Sequence, residues 1–414
     1  MKTLRQYILE KAAGFRCGLI LPYQVFDSTF CHLDGIYNIS IPQDERQGWH
    51  TASGSIGRDK NQAVMGAIGE ALERENASRV RFPIKQGRDL AGENILFHSD
   101  FALYTREQYD APGFAWKRPE PSEVYYGECF SLTDGRPCWV PQELIGLGTQ
   151  IPDQMPPVPS TSTGLAAHTT PRQALTGGLL ELLERDALTV TWMNSLGGRE
   201  MVLPDHYTMP VKAKGGQVRC FDITQAWNPC PVVIVCGFLL RKGKPNISLG
   251  CACRFDRQSA VEKAWLEWMQ GTTFAGYYLE NNPDLRMPEP ADIDDFDKHA
   301  AYYTLYPGRW GQTPLIRGAA PYAPPEKAPA NDLTLEALAE ALAGAGIDLF
   351  YRDLTFPDAR QSRVTVVRVL SPQLSQLHGD ENMPFLGGRT NDAEWRYPGL
   401  AAGAFPNPFP HPLG

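Results

Sequence analysis

The chain has no CxxC pair, no apolar run long enough to cross a bilayer and no basic stripe. Each absence removes a class of protein. Its nine cysteines are scattered over 414 residues, with Cys251 and Cys253 closest together. That pattern is neither a disulfide framework nor a zinc-ligand spacing, so a zinc site is not expected. Reduced, buried thiols in the cytoplasm are the expectation. The longest apolar stretch, Pro231–Leu240, has the length of a strand, well short of the ~20 residues of a membrane helix. The opening MKTLRQYILEKAAG mixes charges into its apolar positions and reads as an amphipathic helix, not a signal peptide. With 39 basic and 47 acidic residues the net charge is −8, and nucleic acid is not an expected partner. A local site for an anionic nucleotide remains compatible with that balance.

What is present is a globular composition, 43% hydrophobic and 21% charged. Proline clusters at Pro112–Pro121, Pro152–Pro159, Pro283–Pro290 and Pro321–Pro329 mark loops. The acidic stretch Asp292–Asp297 reads as a solvated surface segment. Gln217–Thr224 and Pro231–Leu240 read as strands joined by a turn at Asn228 and Pro229. Leu333–Ala343 has a helical pattern, and Ile347–Leu354 and Arg363–Leu370 follow as strands. Helices interleaved with such strands predict an α/β or α+β fold.

The most informative pattern is an internal repeat. Asp59, Ala63, Ala67, Glu70 and Glu73 share their spacing with Thr170, Ala174, Gly178, Glu181 and Glu184, and with Asp256, Ala260, Ala264, Glu267 and Gln270. Asp and Thr are good N-caps, because their oxygens accept bonds from free helix N–H groups. Gln62 and Gln173 stand where a capping box has its third residue, and Pro171 fits the first helical position. At 3.6 residues per turn, each helix sets two small residues and then two carboxylate or amide groups along one side. A face that begins as alanine and becomes glutamate does not read as core.

If the three helices converge, five glutamates and a glutamine meet in one place. Such buried like charges need protons or cations, and hard oxygen ligands suit magnesium, which usually brings phosphate with it. Arg74 and Arg185 directly follow the last Glu of their helices and would contact phosphate or pair with the carboxylates. A metal–nucleotide site is the expectation.

These segments resemble the YcaO family. STGLAAHTTPRQALTGGLLELLERDALTVTW, Ser162–Trp192, is similar to its most characteristic block. Gly66–Ala77 and Ala260–Gln270 resemble the first and third family helices, and Asp353–Asp358 with Val366–Leu374 resemble the C-terminal half. The resemblance runs in order from about residue 50 to the end, which implies an N-terminal extension over 1–50 and a YcaO domain over 51–414. It implies a YcaO-type α/β (α+β) fold with mixed sheets and helices around a central site for ATP and Mg2+. It further implies metal ligation by Glu70, Glu73, Glu181, Glu184 and Glu267, with Gln270 beside them. ATP contacts are expected at Ser53, Arg58, Arg74, Thr163, His168, Arg185 and Gln270. Ser55, Ile56 and Gly57 stand where the family often has a GKG-like loop, Thr163 where Asn or Ser is common, and His168 where Gly is common.

The implied chemistry is ATP-dependent activation of a backbone amide, with a Cys, Ser or Thr side chain closing a thiazoline or oxazoline. The end FPNPFPHPLG, residues 405–414, has proline at alternate positions, which forces an extended, stiff segment. Azoline-forming relatives carry a similar proline-rich terminus into the active site, which gives Pro410, His411, Pro412 and Gly414 a catalytic or organising role by resemblance. The implied partners are a ribosomal precursor peptide, a separate leader-binding or E1-like protein, a flavin-dependent azoline dehydrogenase and a second copy of the chain. An external nucleophile giving a thioamide or amidine, and a non-catalytic scaffold, are the competing readings.

His32, His50, His98, His206, His299 and His378 show no ligand spacing and read as structural or surface residues, not catalytic ones. Asp353 and Thr355 open a loop after a strand, where functional groups often stand. Arg368 and Arg389 are candidates to reach phosphate, and alternation along its strand also allows Arg368 to face solvent.

Overall fold

Three short strand–turn–helix passages organise the chain. The computed structural model describes residues 2–14, 18–26, 33, 35–42, 53–148, 156–323 and 333–414. His32, His50 and parts of the proline-rich stretches 152–159 and 321–329 lie outside them.

Within the described residues the strands form three sheets. The first is antiparallel, in the order β1 (Gln24–Phe26), β2 (Tyr37–Ile41), β3 (Ser53–Gly57). β4 (Ile84–Gln86), β5 (Tyr125–Ser131), β6 (Pro137–Pro141) and β7 (Leu165–His168) belong to the second. β8 (Arg199–Met201), β9 (Gln217–Asp222), β10 (Val232–Arg241), β11 (Lys244–Cys253) and β12 (Ala320–Pro321) make the third. β13 (Phe350–Asp353) and β14 (Thr365–Leu370) return to the second sheet, which runs β4-β5-β13-β14-β7 with β6 also paired to β5. The third runs β11-β10-β9-β8-β12 and is antiparallel except between β8 and β12.

The helices used below are α1 (Leu4–Ala12), α2 (Lys60–Arg79), α3 (Pro171–Met193), α4 (Arg257–Asn281), α5 (Phe296–Leu305) and α6 (Leu335–Gly344). α1 is the amphipathic helix expected at the start, closed by a Thr3–Gln6 capping box. β3 leads directly into α2, β7 into α3 and β11 into α4. The sequence repeat is therefore one strand–turn–helix unit used three times, once on each sheet.

The caps form as expected. Asp59 Oδ1 accepts from Gln62 N at 2.9 Å, Thr170 Oγ1 from Gln173 N at 3.3 Å, and Asp256 Oδ1 from Ser259 N at 2.8 Å. The expected capping boxes are only half formed at α2 and α3, since the glutamine side chains do not accept from the cap's backbone N–H. The Thr170 hydroxyl bonds Gln173 Oε1 instead, at 2.8 Å.

The small residues of the repeat, Ala63, Ala67, Ala174, Gly178, Ala260 and Ala264, are all buried. They let each helix lie close on its strand. A Cβ on Gly178 would stand 2.7 Å from the Gly164 carbonyl oxygen, and one on Gly250 in β11 would stand 2.1 Å from that of Ala264. Along β10 the apolar run is covered on both faces. Val232, Ile234 and Cys236 pack into the core shared with α3, while Val233 and Val235 pack with Trp265 and Trp268 of α4. That double cover explains a continuous hydrophobic strand instead of an alternating one.

The acidic stretch is largely solvated, with Asp292, Asp294 and Asp295 exposed. Asp295 caps α5, accepting from Lys298 N at 2.7 Å, and Asp297 faces the cavity described next. No helix among the described residues is long and apolar enough to cross a membrane.

Candidate active site

The three units point their glutamates into one cavity of about 1250 Å3. Glu70 and Glu73 from α2, Glu181 and Glu184 from α3, and Glu267 and Gln270 from α4 all line it. Arg74, Arg185 and His168 line it too, and Leu413 and Gly414 close one side.

The carboxylates are thinly supplied with partners. Gly54 N donates to Glu70 Oε2 at 2.8 Å, and Cys253 N to Glu184 Oε2 at 3.2 Å. Arg74 stands 3.5 Å from both Glu70 and Glu73, and Arg185 stands 3.5 Å from Glu184. Lys263, a turn before Glu267, reaches it at 3.1 Å.

Burial pushes the Glu73 carboxyl up to about 8 against the pull of Arg74, and Glu181 and Glu70 add to the rise. Burial and then Glu267 push Glu184 up to about 8 despite Arg185. Burial raises Glu181 as well, against Arg185 and Arg74. Burial opposes the charge of both arginines, yet Glu73 beside Arg74 and Glu184 beside Arg185 hold them charged. Burial lowers His168, so its imidazole is neutral at neutral pH.

Buried acids forced to keep protons are the condition a divalent cation relieves, and the donors are the hard oxygens magnesium prefers. The same wall carries arginines spaced among the acids, able to meet phosphate oxygens. The residues fit a magnesium–nucleotide pair.

Other expected contacts fall elsewhere. Arg58 turns outward, where its Nε donates to Glu262 Oε1 at 2.6 Å and its guanidinium lies 4.9 Å over the Trp265 ring. Ser53 and Thr163 are buried but are not part of the cavity wall. The Thr163 carbonyl accepts from Arg368 Nη1 at 2.8 Å.

Pro410, His411 and Pro412 do not reach the wall; they are packed behind it. Tyr303 donates to the Pro410 carbonyl at 2.7 Å, and Trp192 Nε1 to that of Phe409 at 2.7 Å. The segment is thus held along α3 and α5, with its last two residues at the cavity.

Arg368 neither faces solvent nor lines the cavity. It is 1% exposed, because β14 is covered on both faces, and it donates to the carbonyls of Leu144, Thr163 and Thr161. Burial brings it down to about 10, while Glu181 and Glu73 resist that fall. It is a fixed charge behind the acids. Arg389 is bound to Asp392 at 2.6 Å and stacked on Trp395, away from the cavity. Asp353 and Thr355 serve their own turn, with Thr355 N donating to Asp353 Oδ1 at 2.8 Å.

The sequence reading missed Lys263 and Arg254, both of which line the cavity. Lys263 was within reach, since it precedes Glu267 by one helical turn. It also missed Asp186, which follows the Glu184–Arg185 pair and is 0% exposed, paired with Arg396.

An acid-lined pocket with interspersed arginines, built at the ends of three strand–turn–helix units, defines an α/β protein that binds a divalent cation together with a nucleotide. The chain belongs to the YcaO family: the family model described as YcaO cyclodehydratase, ATP- and Mg2+-binding, matches residues 54–375. A structure described as a heterocyclase in complex with substrate and cofactor superposes with a TM-score of 0.75 at 17% identity, over 99% of this chain and 57% of that one. YcaO from Methanopyrus kandleri, bound with AMPPCP and Mg2+, gives 0.64 at 18% identity over 97% and 92%. The E. coli microcin synthetase McbBCD complex gives 0.62 at 15% identity over 96% and 99%. The chain spans little more than half the length of the first heterocyclase and 51% of the heterocyclase TruD. No curated protein sequence matches it.

Proposed function

We propose that this chain is an ATP-dependent cyclodehydratase that acts on backbone amides of a ribosomal precursor peptide. The observation that carries the reading is the convergence of Glu70, Glu73, Glu181, Glu184, Glu267 and Gln270 on one cavity, with Leu413 and Gly414 at its side. The five glutamates hold magnesium, and Arg74, Arg185, His168 and Gln270 face the nucleotide. When bound, the magnesium–ATP pair supplies a phosphoryl group that turns an amide oxygen into a good leaving group.

The protein's own part is positioning and charge. Lys263 and Arg254 extend the cationic side of the wall, and Arg368 fixes a positive charge behind Glu73 and Glu181. Gly54 N and Cys253 N each hold one carboxylate oxygen in place, so Glu70 and Glu184 present their other oxygen to the cavity. The segment 405–414 shapes the peptide side, with Gly414 in close contact with α5. A Cβ there would stand 2.6 Å from that of Ala300. Pro410 and Pro412 stiffen the approach, and His411 anchors it.

The McbBCD complex and the substrate-bound heterocyclase support a peptide substrate and partner proteins here. A leader-binding partner, a flavin-dependent azoline dehydrogenase and a homodimer belong to this reading. Mass spectrometry of a Cys- and Ser-rich precursor treated with enzyme, partner and ATP tests it: each ring removes one water. Glu184→Gln abolishes that loss. Exchange of oxygen for sulfur would favour the thioamide reading, and product unchanged by Glu184→Gln would favour a scaffold.

A further inference from the structure

One face of α5 carries Phe296, His299, Ala300 and Tyr303, at the i, i+3, i+4 and i+7 positions of a helical side. The C-terminal segment runs along that face in the opposite direction. Tyr303 donates to the Pro410 carbonyl at 2.7 Å and His299 Nδ1 to the His411 carbonyl at 2.9 Å. Gly414 lies against Ala300 and Phe296, where a Cβ would stand 3.0 Å from the Phe296 carbonyl oxygen. One residue before Pro410, Trp192 Nε1 takes the Phe409 carbonyl. Three consecutive carbonyls are thus each held by a different buried side chain, in a stretch outside any helix or strand. With proline at alternate positions the segment lacks the N–H groups for a ladder, and its buried carbonyls need donors from elsewhere.

The imidazoles of His299 and His411 are stacked, with ring centroids 3.7 Å apart and 3° between planes. Two neutral rings can lie this close, whereas two imidazolium ions would repel. Burial and His378 hold His299 down at about 3, and burial with His299 and His378 holds His411 well below the usual range. A carbonyl only accepts, so His299 Nδ1 and His411 Nε2 carry the hydrogens, the latter bonded to the His378 carbonyl at 2.7 Å. Burial works against the Glu381 charge, but His378, His411 and the His411 backbone N–H outweigh it and lower its carboxyl. His411 is thereby held by its ring, its carbonyl and its N–H.

α5 is in turn tied to β11 by Thr304, whose Oγ1 accepts from Ile247 N at 2.8 Å and donates to the Ile247 carbonyl at 3.1 Å. β11 gives Ser248 and Leu249 to the cavity wall and leads into α4, which carries Glu267 and Gln270. From Tyr303 to Phe296 a helix rises ~10.5 Å, close to the ~12 Å that extended chain covers from Pro410 to Gly414. Two bonds on α5 therefore set how far the last residues reach. We propose that His299 and Tyr303 are positioning residues for the reaction: they fix the depth at which Leu413 and Gly414 enter the cavity and take no part in holding the nucleotide. The role in the reaction rests on the function proposed above; the hold on the segment does not.

The test uses the full chain with Mg2+ and ATP. His299→Phe keeps a flat ring and loses the donor, and His299→Asn returns an amide donor near the Nδ1 position. Three quantities are read: hydrogen exchange of the 405–414 amides by mass spectrometry, ring formation on the Cys- and Ser-rich precursor, and KM for ATP. His299→Phe is expected to exchange about 10-fold faster or more over 405–414. Its kcat for ring formation falls about 10-fold or more, while KM for ATP stays within about 2-fold. His299→Asn recovers most of both losses. Tyr303→Phe removes one hydroxyl without changing the ring, moves exchange and kcat in the same directions, and carries the test if His299→Phe fails to fold. Unchanged exchange in both phenylalanine variants, faster exchange at an unchanged kcat, a kcat loss that His299→Asn does not recover, or one matched by a rise in KM for ATP overturns the proposal. Ring formation by the unaltered chain that both phenylalanine variants equal sinks this proposal alone. An unaltered chain that binds Mg2+–ATP and closes no ring sinks the cyclodehydratase reading and the positioning role with it, and the exchange rates still decide the hold on the segment.

Discussion

Glu184 and Asp186 stand two residues apart on α3, both buried, and the fold treats them in opposite ways. Asp186 is fully partnered inside the protein. Its oxygens accept from Arg396 Nη2 at 2.6 Å and Nε at 2.9 Å, from Ser375 N at 2.8 Å and from Gln225 Nε2 at 3.0 Å. Arg396 spends its remaining donors on the Arg389 and Gln373 carbonyls. Glu184 has one backbone N–H at 3.2 Å and an arginine at 3.5 Å, and its carboxyl is driven up to about 8. A charge that only holds the fold is neutralised by the chain. A charge held for chemistry is left for a cation from outside, and the raised carboxyl measures the deficit.

The sharpest way to break that contrast is stability. Arg396→Ala strands the Asp186 carboxylate in the interior and is expected to cost about 3–5 kcal/mol by denaturant titration. Glu184→Gln, made in metal-free protein, is expected to leave stability unchanged or raise it, since it removes a buried acid whose neighbours are one N–H at 3.2 Å and an arginine at 3.5 Å. Equal losses for the two would erase the distinction.

pH gives the next largest effect. Glu73 and Glu184 rise from the usual 4.5 to about 8 on folding. Between those values the native state binds more protons than the unfolded one. Metal-free stability therefore declines as pH climbs through that window. Magnesium displaces those protons, so the melting temperature in Mg2+ and ATP should vary less over the same range. Calorimetry in EDTA and in Mg2+–ATP checks this, and a flat EDTA profile would count against it.

The smallest effect concerns spacing. In an open helix Gly→Ala gains up to ~1 kcal/mol. At Gly178 the new methyl meets the Gly164 carbonyl at 2.7 Å and Val369 Cγ2 at 2.9 Å. Gly178→Ala is therefore expected to destabilise by about 1–3 kcal/mol, read by thermal melting, and to weaken activity through the displacement of Glu181.

What the sequence disclosed was local. Caps, Pro171 and the 3.6-residue spacing are short-range chemistry, so the three helices and their acidic faces were legible before their meeting place was. The meeting depends on sheet pairing, and nothing in the spacing reveals that β3, β7 and β11 belong to three different sheets. Arg368 was misjudged because alternation identifies a face without telling whether that face is covered. Arg396 lies 210 positions from Asp186, and His411 lies 112 from His299. No motif spans such distances, and a solitary histidine in a proline-rich segment gives no sign of its partners.

The close helix–strand contacts have a consequence for how the acids are placed. Ala67 precedes Glu70, Gly178 precedes Glu181 and Ala264 precedes Glu267 by three residues each, an axial rise of ~4.5 Å. Glu181 and Glu267 are therefore less than one helical turn from a point where backbone lies against backbone, at Gly178 on Gly164 and at Ala264 on Gly250. Long side chains elsewhere in a core can re-rotamer and let a helix drift; these contacts have no side chain to move. Gly178 and Ala264 work as two short rulers, and on α3 and α4 the reach of the acids into the cavity is gauged by the main chain.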